Sequence, residues 1–394
     1  MVCFLCRENG LNEFLNLGNQ PLANKYPQGE TDFEREEFFS LTVFFCNNCR
    51  NVQLGTLISR ERMFEDYYYL SSVNPGLVSH FEQFGKEIAV RGANFVVDVG
   101  SNDGILLKPL KELGIKAIGV DPSINVSKIA NDAGLETITA FFNTETAEMI
   151  KTKYQKSDLI IASSVFTHLE DPHQFIGAVK NLMTDDGRFI IEVEYIGNIL
   201  RDVQFERFYL DRIFYYSLTS LKSLLAMHGM HIAEAEIIEP HGGSLRVTAR
   251  PGQNQITAEP VLQLLKEEEV NLTPARLKNF KEQVNKHTSD FRNKLLEYKK
   301  DKIKVAGYGA PARVATICNY SNIGPDLIKF IIDDSPLKQN KFSPGTHIPI
   351  VPKNFLENSA PDVLVVFAHE YLDSIKEKTG GKYRYLIPIP PREV

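Results

Sequence analysis

Hydrophobic and polar positions along this chain repeat one theme. Residues 95–99 are apolar except for Asp98, and they are followed by Gly100, a polar turn, Gly104 and an apolar, periodic segment. A short apolar run bounded by turn residues predicts a buried strand, and the segment after Gly104 predicts a helix. A second strand, AIGV, ends in Asp121. LETITAFF (135–142), SDLIIASS (157–164) and GRFIIEVE (187–194) predict further strands, and LTSLKSLLAMHGM (218–230) predicts a helix. HGGSLRVTARPG (241–252) reads as a turn feeding a strand. Residues 257–301 are charged and amphipathic, predicting helices whose charge run faces solvent. From Asp301 the theme returns. KIKVAGYGAPARVATICNY gives strand, glycine turn and helix, and LIKFIIDDSP gives a strand ending in Asp333 and Asp334. PDVLVVFAHEYLDSI and KYRYLIPIP complete this second set. Alternation of this kind predicts an α/β protein with helices on both faces of largely parallel sheets.

One stretch has no period. FERFYLDRIFYYS (205–217) holds six aromatics, two arginines, a glutamate and an aspartate, and it connects a strand to a helix. It is either an awkward connector or the wall of a site.

Length and composition narrow the class. At 394 residues two or three domains are expected, and 43% hydrophobic with 24% charged residues is a globular composition. A net charge of −6 argues against a nucleic-acid partner, which needs a basic face. No apolar run approaches bilayer length, and the N-terminus lacks the layout of a signal peptide. A cytosolic protein without a membrane partner is expected, and its five cysteines are then metal ligands or free thiols rather than disulfides. Cys3 and Cys6 form one C-x-x-C and Cys46 and Cys49 another. Two such knuckles suit one structural zinc ion with no open position, holding together a segment with little core of its own.

The glycine turns carry the remaining chemistry. D-x-G-x-x-x-G from Asp98 to Gly104 departs from the dinucleotide fingerprint G-x-G-x-x-G. It fits the S-adenosylmethionine (SAM) site of class I methyltransferases. Asp98, Gly100, Asn102 and Gly104 are then the cofactor loop, and Asp121 takes the ribose hydroxyls. Phe142, Asn143 and Ser163 are candidates beside the adenine. His168 falls just after the fourth strand, at the edge where open α/β sheets bind ligands, whereas His173 reads as a capping or packing residue. Tyr67 and Tyr69, in MFEDYYYLSSVNPG, belong to a packed turn or a substrate-facing loop. Arg246 is a surface arginine or a phosphate contact. The second turn, GYGAPA, has Pro311 inside it and Ala312 at the last position. Nicotinamide binding is one reading of it, and a scaffold that helps hold substrate is the preferred one.

Taken in order, CFLC with CNNC, LGNQPLAN, DYYYLSS, VVDVGSNDGILL, HGGSLR and GYGAPARVATICNY resemble the sugar C-methyltransferases of deoxysugar biosynthesis over essentially the whole chain. The resemblance implies a zinc-binding N-terminal domain (1–75), a class I SAM-dependent methyltransferase domain (76–255), a helical connector (256–300) and a Rossmann-like C-terminal domain (301–394). It implies SAM and one structural zinc as cofactors, and a nucleotide-linked keto-sugar methylated on the carbon beside its ketone. The oligomeric state stays open. Removing a proton from that carbon needs a base, and the enolate needs a donor. The family carries these in Y-H-E-H-x-x-Y-[FY]-S, where the second histidine is the proposed base. Here the same register reads Tyr209, Leu210, Asp211, Arg212, so the tyrosine is kept, the acid is shortened and both histidines are gone. Arginine is protonated at neutral pH and only donates. His168, which matches a family position lining the active site, becomes the preferred base, with Tyr209, Asp211 and His241 as alternatives. Arg212 is left to stabilise an enolate or hold an anion. Asp211 would serve only if burial raised its pKa, and Arg212 beside it is expected to lower it. An O- or N-methyltransferase acting on a related acceptor, or a SAM-binding homologue without methyl transfer, are the alternatives.

Overall fold

The computed structural model describes residues 2–59, 70–252 and 258–394. The chain opens with antiparallel strands β1 (Leu11–Pro21), β2 (Phe38–Cys46) and β3 (Val52–Leu54). β1 and β2 pair with Leu11 opposite Cys46. This register brings the knuckle preceding β1 against the knuckle following β2.

The central sheet takes β4 (Val96–Val99), β5 (Ala117–Asp121), β6 (Thr137–Thr139), β7 (Ser157–Ser163) and β8 (Met183–Glu194). β9 (Phe214–Tyr215) leaves it to pair with β3 on the N-terminal sheet, after which β10 (Met230–Ile238) and β11 (Ser244–Pro251) return. The order is β10-β11-β8-β7-β4-β5-β6, parallel except for β11, which is antiparallel to both its neighbours. The chain winds outward in both directions from β4 and β7. Open sheets bind ligands in the crevice beyond the strand ends at such a switch point. β6 is shorter than the pattern predicted, because Asn143 turns away to cap the helix Thr144–Lys153, its Oδ1 accepting from Thr146 N at 2.9 Å.

Helices Glu259–Asn271 and Pro274–Lys300 follow, the second burying Leu277, Phe280, Val284, Phe291 and Leu295 along one face. The expected solvated charge run is interrupted at Glu268, which is 1% exposed. Its carboxylate accepts from Leu218 N (2.6 Å), Thr219 N (2.8 Å) and Thr219 Oγ1 (2.5 Å), so it satisfies the N-terminus of the helix Leu218–Met227.

The C-terminal sheet comprises β12 (Val305–Tyr308), β13 (Ile331–Ile332), β14 (Lys341–Phe342), β15 (Pro349–Val351), β16 (Val363–Val366), β17 (Arg384–Ile387) and β18 (Arg392–Glu393), in the order β14-β15-β13-β12-β16-β17-β18. Among the described residues no helix is long and apolar enough to cross a membrane.

The aperiodic stretch lies where these parts meet. Phe205, Phe208 and Tyr215 share one buried core with Phe14 of β1, Phe280 of the long helix and Val305 of β12. The Phe208 ring meets Phe14 at 6.3 Å, Phe280 at 6.2 Å and Tyr215 at 4.6 Å. Phe214 and Tyr216 instead join the core of the central sheet. The aromatics face several elements at once, so no single period describes them.

Candidate active site

At the N-terminal edge, Sγ of Cys3 lies 3.8 Å from that of Cys49, and Sγ of Cys6 lies 3.6 Å from that of Cys46. All four sulfurs fall within 4.8 Å of one another. Zinc–thiolate bonds of about 2.3 Å give a tetrahedron with edges of about 3.8 Å, so the spacing fits the ion. Each knuckle closes in the same way. Arg7 N donates to Cys3 O and Arg50 N to Cys46 O, both at 2.9 Å, with positive φ at both arginines (62° and 56°). His173 packs against this unit, its Nε2 donating to the Leu5 carbonyl at 2.7 Å.

The cofactor crevice is built at the ends of β4 and β5. Gly100 (φ 75°) and Gly104 (φ 83°) take conformations that suit only glycine, and a Cβ on them would lie 2.8 Å from Val165 and 2.5 Å from Leu135. The Asp121 carboxylate accepts from Asn102 N at 3.0 Å and Ser123 N at 2.9 Å, fixing the loop to the second strand. Asp98 is buried, and burial together with the charges of Asp121 and Glu192 pushes its pKa up to about 8. Asp98 is held neutral by burial and by its acidic neighbours, and a cationic ligand in the crevice would favour its ionised form. Ser163 Oγ donates to Glu192 at 2.9 Å, and Phe142 is buried with its ring 5.1 Å from that of Phe175. Ser71 N donates to Asn102 Oδ1 at 3.0 Å, while Ser72 N and Oγ donate to Asp103 at 3.1 and 2.5 Å. The serines after the tyrosine cluster thus clasp the loop. Tyr67 and Tyr69 lie outside the described residues.

Beside this crevice the structure brings together His168, Tyr209, Asp211 and Arg212. His168 ends a short helical turn after β7, and Glu194 ends the neighbouring β8. Nδ1 of His168 donates to the Asp211 carbonyl. The Arg212 guanidinium pairs with the Glu194 carboxylate and lies 4.7 Å over the Tyr209 ring. The Asp211 side chain accepts from Asn24 Nδ2 at 2.8 Å, which explains the terminal asparagine of LGNQPLAN. Burial, helped by the Arg212 charge, pulls His168 down to about 4, so it is neutral at physiological pH. Burial raises the Tyr209 phenol well above its usual range. For Asp211 the expected direction is reversed, since burial raises its pKa and outweighs the lowering by Arg212. Arg212 stays protonated, the nearby Glu194 charge offsetting its burial.

Two further candidates, Arg246 and His241, belong to the segment that pairs with β8. Arg246, on β11, is buried against Glu192 (2.6 Å), Glu87 (3.0 Å) and Glu236 (3.1 Å), with its guanidinium 4.1 Å from the centre of the Phe84 ring. With three carboxylates and a ring face around it, it braces Glu192 behind the cofactor crevice rather than presenting a free cation to a phosphate. His241 belongs to the turn Pro240–Gly242. The adjacent Gly242 (φ 75°) leaves the space Arg207 occupies, since a Cβ there would sit 2.4 Å from Arg207 Nη2. In the second glycine turn, Asp333 accepts from Ala310 N at 2.7 Å, while Tyr26 Oη and Lys338 Nζ donate to Ala310 O at 2.8 and 3.0 Å. Asp333 also accepts from Ser335 N at 2.9 Å, so it braces this turn as Asp121 braces the first glycine loop.

Sequence reasoning missed Glu194, Arg207, Arg313 and Glu370. The one signal for Glu194 was its place at the end of the GRFIIEVE strand. Nothing local marked the other three.

A four-cysteine site on a small sheet, followed by a seven-stranded sheet with a glycine loop and an acid at the end of its second strand, defines a class I SAM-dependent methyltransferase with a structural zinc site. Residues 3–64 match a family model for a zinc binding domain, 60–235 a methyltransferase domain, and 239–390 the C-methyltransferase C-terminal domain. The chain is 30% identical over 403 residues to C-methyltransferase NovU of Streptomyces niveus, covering all of this chain and 96% of that protein. It belongs to this C-methyltransferase family. A ubiquinone biosynthesis O-methyltransferase of Bartonella tribocorum is 29% identical over 99 residues, 24% of this chain and 39% of that protein. Among solved structures, magnesium protoporphyrin IX methyltransferase (ChlM) from Synechocystis, with bound S-adenosylhomocysteine (SAH), overlays with a TM-score of 0.35 at 18% identity, covering 49% of this chain and 92% of that one.

Proposed function

We propose that this enzyme methylates a carbon beside the ketone of a nucleotide-linked keto-sugar through an enolate, with His168 as the base. The observation that carries the reading is the hydrogen bond from His168 Nδ1 to the Asp211 carbonyl. It places a neutral imidazole beside the segment that stands in register with the family's Y-H-E-H. A carbonyl only accepts, so Nδ1 holds the proton and Nε2 holds the lone pair. SAM, when bound, supplies the electrophilic methyl group. His168 takes the α-proton, and the electron pair of that C–H bond becomes the enolate. Its carbon would accept the methyl group that bound SAM supplies, with SAH as the by-product, and the proton on His168 would pass to solvent. Tyr209 and Arg212, both protonated, are the donors available to the enolate oxygen. The low basicity of His168 favours an acidic acceptor proton. It is also the one observation in favour of a second reading, an O-acceptor on a related sugar.

Incubation with SAM and a panel of nucleotide-linked 4-keto-sugars tests this, with mass spectrometry for the methylated product and for SAH. Solvent deuterium entering the α position without SAM is expected if the base operates. Clear SAM binding with neither exchange nor product across the panel would reject the reading.

A further inference from the structure

The segment carrying Tyr209, Asp211 and Arg212 is also held by two elements that flank the C-terminal sheet, the helix Arg313–Tyr320 and the turn His369–Tyr371. Thr316 Oγ1 donates to the Phe208 carbonyl at 3.0 Å. Next to it, Glu370 Oε1 accepts from Arg313 Nη2 at 2.6 Å and from Arg207 Nη2 at 3.1 Å. The other terminal nitrogen of Arg207 donates to Glu194 at 3.2 Å, and Glu194 pairs with Arg212. An unbroken ion chain therefore runs Arg313–Glu370–Arg207–Glu194–Arg212. It begins on the GYGAPAR turn and ends at the residue that replaces the family histidine.

Burial gives the chain its leverage. Side-chain exposure is 8% at Arg207, 11% at Arg212, 14% at Arg313 and 4% at Glu194, while Glu370 at the rim keeps 30%. Glu206, beside Arg207 and Arg313, is 3% exposed. Charges removed from water hold their positions only while each is paired, so the loss of one member redistributes the others. Burial would raise the Glu370 carboxyl, but Arg313 holds it down to about 2, so it is ionised throughout the working range. Among the described residues Glu370 is the carboxylate hydrogen-bonded to both arginines. Without it, Arg207 and Arg313 share only the nearby charge of Glu206, and Arg207 competes with Arg212 for Glu194.

We propose that Glu370 is a positioning residue for methyl transfer, setting the orientation of Arg212 through Arg207 and Glu194. The helix Arg313–Tyr320 and the turn His369–Tyr371 thereby complete the acceptor site without touching the reacting atoms. This rests on the reading of residues 205–213 as the acceptor wall.

The test compares Glu370→Gln, Arg313→Gln and the double variant in the full chain. Glu370→Gln is expected to lower kcat at least tenfold, leave SAH affinity by calorimetry within twofold, and speed amide hydrogen exchange across residues 205–213 at least fivefold. The double variant, which removes one charge of each sign, is expected to recover at least half of the lost kcat and of the lost protection. Unchanged exchange in 205–213 for Glu370→Gln, or a double variant no better than the single one, would overturn the proposal. If the wild type methylates no keto-sugar, the proposed function fails, while hydrogen exchange and its recovery in the double variant still judge the role of Glu370.

Discussion

Nδ1 of His168 is bound to the backbone carbonyl of Asp211, 43 residues further along the chain and next to Arg212. The bond fixes the tautomer and aims the pH behaviour of the enzyme. With a pKa of about 4, His168 is unprotonated at all but acidic pH. Acceptor kcat/KM is therefore expected to stay flat from about pH 5 to neutrality and to fall on acidification through about 4, where an ordinary histidine gives a fall near 6.5. His168→Asn is expected to lower kcat by roughly a hundredfold or more while SAH still binds. A profile breaking near 6.5, or full activity in that variant, would remove His168 as the base.

Asp98 is expected to make cofactor binding a proton-linked event. Its carboxyl, raised to about 8, is largely protonated at pH 7 before SAM arrives, and a cation in the crevice favours the ionised form. SAM binding is expected to release protons near neutrality and to tighten as pH rises towards 8. Calorimetry in two buffers of different ionisation enthalpy measures the released fraction. Asp98→Asn should abolish the release and weaken SAM about tenfold, or about 1.4 kcal/mol. Equal apparent enthalpies in the two buffers would contradict this.

The zinc site belongs to the same buried core as the central sheet, since Cys3, Cys46 and Cys49 pack with Val97, Phe166 and Tyr216. Stripping the ion should therefore weaken more than the N-terminal sheet. Cys46→Ser, or a strong chelator, is expected to lower the melting temperature by roughly 5–10 °C and to weaken SAH binding. Elemental analysis should find one zinc per chain. A metal-free protein melting at the same temperature as the zinc-bound one would rule this out.

Glu268→Ala leaves the amides of Leu218 and Thr219 buried without an acceptor, at a cost of about 2–4 kcal/mol in denaturant unfolding. Glu268→Gln keeps one acceptor oxygen and should lose about half as much. A loss below about 0.5 kcal/mol for the alanine variant would show that water replaces the carboxylate.

These residues differ in how far the sequence exposed them. The knuckles and the cofactor loop were legible because their chemistry is local. Cys3 and Cys6 need only each other to form a turn, and Gly100 and Gly104 need only their own φ angles. Glu268 was hidden within a run of charges, because burial depends on which helix lands against it. Arg246 looked available to a phosphate because its three carboxylate partners come from the helix Pro75–Arg91, from β8 and from β10. The Asp211 shift was misjudged because adjacency to Arg212 is visible in the sequence and desolvation is not.

By itself the sequence determined the strand–glycine–helix units and the paired thiolates, since each depends on spacing within a few residues. Only the tertiary structure decided what FERFYLDRIFYYS is. Its rings are shared between two cores, its backbone carbonyl meets His168, and its arginines join Glu194 to Glu370. Contacts to that many elements leave no periodic trace, because its side chains are divided among several neighbours rather than turned to one face.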